Sequence, residues 1–216
     1  MNIFNLLGQL SSGMLITIEI FVVTLLFSLP LGLVIAFGRM SKVGVIRIIT
    51  KGYISIMRGT PLMLQLMVVY FGPYYIFGIN LSAGYRLIAT FIGFSINYAA
   101  YFAEIYRGGI ESMPEGQYEA AKVLGYNKAQ TFVHIIFPQV VRRILPSITN
   151  EVITLVKDTS LAMVIAVTEV FVTARKIAAA QTSMMPFLAA AIFYYIFNLL
   201  VAIGMERVER KMNYYK

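Results

Sequence analysis

Five runs of about 20 or more mostly apolar residues, at roughly 13–36, 54–79, 87–106, 146–172 and 186–205, dominate this 216-residue sequence. The hydrocarbon core of a bilayer is about 30 Å thick, and about 20 residues of helix cross it. Backbone groups in hydrocarbon must find partners within the protein, and within a single run only a helix supplies them. The expected fold class is therefore all-α and integral to the membrane, with five transmembrane helices in a single domain over residues 1–216.

Composition supports the same reading. Hydrophobic residues make up 59% of the chain and charged residues 13%; a soluble domain carries about 25% charged residues. The mean hydropathy is +0.76. The 18 Lys and Arg against 10 Asp and Glu fit basic loops on one face of a membrane better than a nucleic-acid surface. There is no cysteine, which excludes disulfides, thiolate metal sites and cysteine nucleophiles. The first dozen residues lack a basic stretch, so no cleaved signal peptide is expected.

Three runs carry interruptions. The first holds Glu19 and Pro30, the latter a candidate kink. The second is interrupted by Arg58-Gly59-Thr60-Pro61, and its clean apolar part begins at Leu62. The fourth is polar at Lys157-Asp158-Thr159-Ser160. The fifth opens on Pro186, where a missing N–H costs little. Summed over alternate loops, thirteen Lys and Arg fall on one side, Lys216 of the tail among them, and three on the other. By the positive-inside rule the first loop, the third loop and the C-terminus face the cytoplasm and the N-terminus faces outward.

The third loop, about 111–140, is too long for a plain connection. Ser112 precedes Glu115 by three residues, a capping-box spacing. A helix can follow through Gln117, Tyr118, Ala120, Ala121 and Leu124, and Gly125 is placed to end it in a left-handed conformation. Asn127 and Gln130 repeat the capping spacing and open a second short helix, which Pro138 is expected to close. A narrow helix with paired alanines suits insertion into a groove; lying on the membrane surface is the alternative.

Glu119-Ala120-Ala121, Gly125, Ile135 and Phe137-Pro138 together resemble the EAA loop of binding-protein-dependent ABC importer permeases, with Phe137 where that pattern has Leu. Arg58-Gly59-Thr60-Pro61-Leu62 with Gln65, the stretch from Ala103 to Ile110 and the stretch from Leu155 to Leu161 resemble the polar amino-acid branch. This resemblance covers nearly the whole chain. It implies the type I importer permease fold and a coupling helix, with Glu119, Ala120, Ala121 and Gly125, that sits in a cleft of a separate ATPase subunit. It also implies an ATPase dimer binding ATP and Mg, a second permease copy (a homodimer, or a heterodimer with a paralogue), an extracytoplasmic amino-acid-binding protein and a prokaryotic plasma membrane. No cofactor and no metal are expected in this chain. It has no Gly-x-x-x-x-Gly-Lys-Ser/Thr loop of its own.

A charge at the centre of a membrane helix costs at least about 2.5–3.5 kcal/mol, so such residues are candidates for function. Glu151, Thr154 and Asp158 share one helix face, and two carboxylates there favour a cationic ligand such as a guanidinium. A break near Lys157, Asp158, Thr159 and Ser160 would offer a Lys charge and free N–H groups to the α-carboxylate of an amino acid, as broken transporter helices do. Asn97, Tyr101 and Glu104 share a face of the third helix, with Asn97 deep enough to touch substrate. Glu104 and Arg107 have the spacing of an ion pair that snorkels to the interface. Arg58 is a structural or gating residue, His134 an interface residue, and Glu19 has no identifiable partner. The expected cargo is a basic amino acid, with glutamine, glutamate or another polar amino acid as the alternative. An ATP-independent transporter would share the helices but has no need of the 119–138 pattern. A membrane enzyme lacks a nucleophile constellation here.

Overall fold

The computed structural model describes residues 3–82 and 84–212; Lys216, which entered the charge count, lies outside them. Every regular element among the described residues is helical. Helix α1 spans Ile3–Arg39, α2 Gly44–Gly59, α3 Leu62–Phe77, α4 Tyr85–Glu111 and α5 Glu115–Val123. The short α6, Lys128–Gln130, passes through a π-helical stretch, Thr131–Ile136, into α7, Phe137–Asp158. A 3-10 stretch, Thr159–Ile165, follows, then α8, Val170–Gln181, and α9, Met185–Met212. By length and composition α1, α4 and α9 can each cross a membrane, and the bent pair α2–α3 could make a fourth span.

The centre of the molecule is the α1–α4 pair. Apolar burial drives little association in lipid, where the solvent is itself apolar; close packing through small residues takes over. Gly32 of α1 lies against Ala99, Phe102 and Ala103 of α4, and a Cβ there would meet Phe102 Cβ at 2.8 Å and the Ala99 carbonyl at 3.0 Å. Gly93 of α4 likewise receives Leu66 of α3, and Gly109 receives Ile144 of α7. Around these contacts Ile20, Leu66, Phe94, Phe102, Leu155 and Val156 are fully buried. Helix α1 passes through Pro30 without interruption and begins ten residues before the apolar run that announced it.

The second and fourth expected segments are not single rods. Residues 54–59 belong to α2, and α3 leaves it at 110°. Thr60 and Pro61 are both extended, with ψ of 149° and 134°. Proline disfavours the helical conformation in the residue before it, so the chain turns where the sequence placed Pro61. The fourth segment stops as an α-helix at Asp158, tightens into the 3-10 stretch and reverses through Ala166, at φ 59°. The expected break at 157–160 is present, and residues 166–172 lie beyond it rather than in one continuous span.

Two cap assignments change. Ser112 does not open α5: its hydroxyl donates to the Gly109 carbonyl at 2.7 Å, closing α4, and Pro114 precedes α5 instead. Pro138 does not close the second helix, which continues into α7. The wide π turn ends just before Pro138, which sits in the first turn of α7, a position where the missing N–H is tolerated. Gly125 is left-handed as expected, at φ 79°. The Asn127–Gln130 box is complete, with both bonds at 2.9 Å.

One packed and one unpacked glycine provide a test of the small-residue packing. Gly32→Ala is expected to lower stability by about 1–3 kcal/mol through overpacking. Gly108→Ala, which meets open space, is expected to be neutral or stabilising by up to about 1 kcal/mol. Thermal unfolding of the detergent-purified protein compares the two.

Candidate functional site

The two helix breaks meet at one cavity of about 370 Å³, within the 300–1,000 Å³ common for small-ligand sites. The α2–α3 elbow supplies Thr60, Pro61 and Leu62; α4 supplies Asn97, Tyr98 and Tyr101; α7 supplies Glu151, Thr154 and Asp158; the 3-10 stretch supplies Leu161. Glu151, Thr154 and Asp158, which share a face of α7, thus meet Asn97 of α4 at one cavity. Lys157, Thr159 and Ser160 are not in the lining. Lys157 is exposed and Thr159 buried. The Thr159 hydroxyl donates to the Val156 carbonyl at 2.7 Å and that of Ser160 to the Lys157 carbonyl at 2.8 Å. Backbone N–H groups at this helix end are occupied by the carbonyls of Leu155 and Lys157. The break therefore offers fewer free donors than a fully unwound one would, because the 3-10 turn keeps them bonded.

Two cavity residues have their donors occupied by the protein. Asn97 is buried, and its Nδ2 donates to Gln65 Oε1 at 2.9 Å and to the Met57 carbonyl at 3.1 Å. Tyr98 donates to Asp158 Oδ2 at 2.7 Å. Gln65 in turn donates from Nε2 to the Met57 carbonyl, the Thr60 carbonyl and Thr60 Oγ1 at 2.9–3.1 Å. The elbow's orphaned carbonyls are therefore satisfied by Gln65, held in place by Asn97. What the cavity leaves open are the acceptors Asn97 Oδ1, Asp158 Oδ1 and the Glu151 carboxylate, together with the Tyr101 and Thr154 hydroxyls, which can donate or accept. Sequence reasoning missed the Tyr98–Asp158 bond, because Tyr98 lies one residue from Asn97 on a helix and the partner is 60 residues away.

Charged groups gather at one edge. The Arg58 guanidinium carbon is 5.3 Å from the Tyr101 ring centre, a cation–π distance. Its Nη1 is 3.9 Å from Glu104. Glu104 pairs more closely with Arg107, at 2.6 Å, and Arg107 also reaches Glu111 at 2.5 Å. The predicted Glu104–Arg107 pair is formed. Glu19 is exposed on α1. His134 lies against the Gln130 carbonyl at 3.1 Å. Among the described residues no group of three or more His, Asp or Glu could hold a metal ion.

The second candidate site is α5. Ala121 is buried against the protein, whereas Glu119 and Ala120 are exposed. Val123 and Leu124, 87% and 72% exposed, project at the tip just before Gly125. The paired alanines therefore face different ways: one seats the helix and the other belongs to its outer surface.

Residues 28–214 match the family described as the inner membrane component of binding-protein-dependent transport systems. The chain belongs to that family. Its relatives include a putative glutamine transport system permease protein of Rickettsia conorii, 34% identical over 93% of this chain and 91% of that one. An arginine transport system permease protein of Bacillus subtilis is 36% identical over 93% and 90%. Among solved structures, an amino acid ABC transporter crystallised with histidines shares 30% identity, covers 97% of this chain and 96% of its own, and superposes with a TM-score of 0.87. The chain is an amino-acid ABC importer permease with the type I fold, a transport subunit of the membrane.

The clamp at the permease's elbow can be tested alone. Gln65→Leu leaves the Thr60 carbonyl without its side-chain donor, the Met57 carbonyl with Asn97 alone, and one Asn97 N–H without its acceptor, and is expected to cost about 1–3 kcal/mol. Thermal unfolding measures the loss, and an unchanged midpoint would remove Gln65 from the account.

Proposed function

We propose that this permease carries a basic amino acid, such as arginine, lysine or histidine, through the cavity between α4, α7 and the α2–α3 elbow. The single observation behind this reading is that the cavity lining holds two carboxylates, Glu151 and Asp158, and no Lys, Arg or His. The donors of Asn97 and Tyr98 are occupied within the protein, so beside the two carboxylates and Asn97 Oδ1 only the neutral Tyr101 and Thr154 hydroxyls remain. A guanidinium or ammonium brings donors and positive charge to such a set. Glu151 reads the cationic side chain, and Asp158, Asn97 and Thr154 take the α-ammonium. Lys157, Thr159 and Ser160 enter when the end of α7 opens, releasing hydroxyls and N–H groups to the α-carboxylate. The arginine transport relative of Bacillus subtilis is consistent with this choice. The relative named for glutamine keeps a polar, uncharged cargo as the second reading.

In the same reading two permease copies form the pathway in a prokaryotic plasma membrane, with the α5 side and the C-terminus in the cytoplasm. An extracytoplasmic binding protein delivers substrate. A separate ATPase dimer binds ATP and Mg, and its closure reaches the permease through Glu119, Ala120, Ala121 and Gly125. The exposed Val123 and Leu124 join that contact as its apolar tip, since an unpartnered apolar patch on a polar loop marks a docking surface.

Glu151→Gln is expected to reduce arginine-stimulated ATPase activity in the reconstituted complex, raising half-saturation about tenfold, the equivalent of one charge-assisted bond. Unchanged stimulation and unchanged preference over glutamine would overturn the cationic assignment. Val123→Asp is expected to weaken ATPase co-purification while leaving the permease folded; full retention of the ATPase would exclude the tip from the contact.

A further inference from the structure

Glu169 is the one carboxylate among the described residues that is wholly buried, and the transport reading gives it no task. Its Oε1 accepts from Val172 N at 2.8 Å. Its Oε2 accepts from Phe171 N at 2.8 Å, from the Tyr194 hydroxyl at 2.6 Å and from Thr17 Oγ1 at 3.5 Å. Those donors come from α8, α9 and α1, so one carboxylate joins three helices. Thr17 Oγ1 also accepts from Val170 N at 3.4 Å, so α1 holds the start of α8 beside the carboxylate. Gly13 of α1 packs directly on the Glu169 and Val170 backbone, where a Cβ would sit 3.0 Å from either.

Thr159 and Glu169 are the two ends of the segment that turns back after α7. Between them lie the 3-10 stretch and Ala166, whose left-handed backbone costs a residue with a Cβ about 1–2 kcal/mol. A short strained turn in hydrocarbon holds its shape only if its ends are held. Asp158 immediately precedes the segment and Leu161 lies within it, and both line the cavity. We infer that Glu169 and Tyr194 form a positioning clasp, fixing the far end of the 159–169 turn to α8, α9 and α1 so that Asp158 and Leu161 keep their places in the cavity wall. Neither clasp residue touches the cargo. The clasp rests on the proposed cavity, and its structural part can be tested without any assumption about the cargo.

The chain contains no cysteine, so Leu161→Cys gives one reporter thiol per permease chain, read on the permease band of the full complex with its ATPase. Two variants are combined with it: Glu169→Gln, which puts an amide among the donors, and the milder Tyr194→Phe, which removes one hydroxyl. Each is expected to change the rate at which N-ethylmaleimide labels Leu161→Cys by about fivefold or more, on the scale of one hydrogen bond to a charged group. A control reporter at Val22→Cys, on the exposed face of α1, is expected to keep its rate. Without the reporters, half-saturation by L-arginine is expected to rise about tenfold with basal ATPase activity retained. If Glu169→Gln fails to assemble, Tyr194→Phe decides. Unchanged labelling in an assembled variant overturns the clasp, as does an equal change at Val22→Cys, which would mean general loosening. If the wild type shows no arginine stimulation but labelling shifts as expected, the clasp stands and the cargo assignment falls.

Discussion

A polar backbone group in hydrocarbon has no water to turn to, so each interruption of a membrane helix must be closed by the protein itself. This constraint shapes the permease at both of its breaks. At the α2–α3 elbow, Gln65 and Asn97 supply the missing bonds. After α7, the 3-10 stretch retains most of its own bonds, and Glu169 caps the start of α8. The backbone groups are closed mostly by near neighbours, Gln65 and Glu169, and those two side chains are in turn held from distant elements, Gln65 by Asn97 and Glu169 by Tyr194 and Thr17.

The same closures decide what the cavity offers. Asn97 looks like a substrate ligand by depth and face, yet its amide nitrogen is already committed to the elbow. Tyr98 does the same to one oxygen of Asp158. The protein commits the donors of Asn97 and Tyr98 to its own shape and leaves two carboxylates in the lining. A cavity at the meeting of broken helices is where transporters place cargo, and the proposed preference for a cation rests on those two carboxylates.

Legibility in the sequence followed the range of each interaction. The Asn127–Gln130 box and left-handed Gly125 were readable because their partners lie within five residues. Ser112 had an equally good local signature and was still misread, because its hydroxyl had a second local option, the carbonyl of Gly109, and Pro114 fixed the next start. Pro138 was expected to end a helix; a π turn before it let the helix go on. The face shared by Glu151, Thr154 and Asp158 was legible from periodicity alone. Tyr98 against Asp158, and Tyr194 against Glu169, were not, since no spacing rule relates residues on separate helices.

By itself the sequence determined that this chain is a helical membrane protein, where its second run is interrupted, and that its α5 loop carries the family's Glu-Ala-Ala pattern. Those follow from apolar length, from the fixed geometry of proline and from short motifs, all properties of contiguous residues. Only the tertiary structure decided which polar groups are free. It separated Ala120 from Ala121, removed Lys157 from the cavity lining and gave the buried Glu169 its partners. The reason is physical: availability of a hydrogen-bonding group depends on every neighbour that packing brings to it, and in hydrocarbon those neighbours come from other helices.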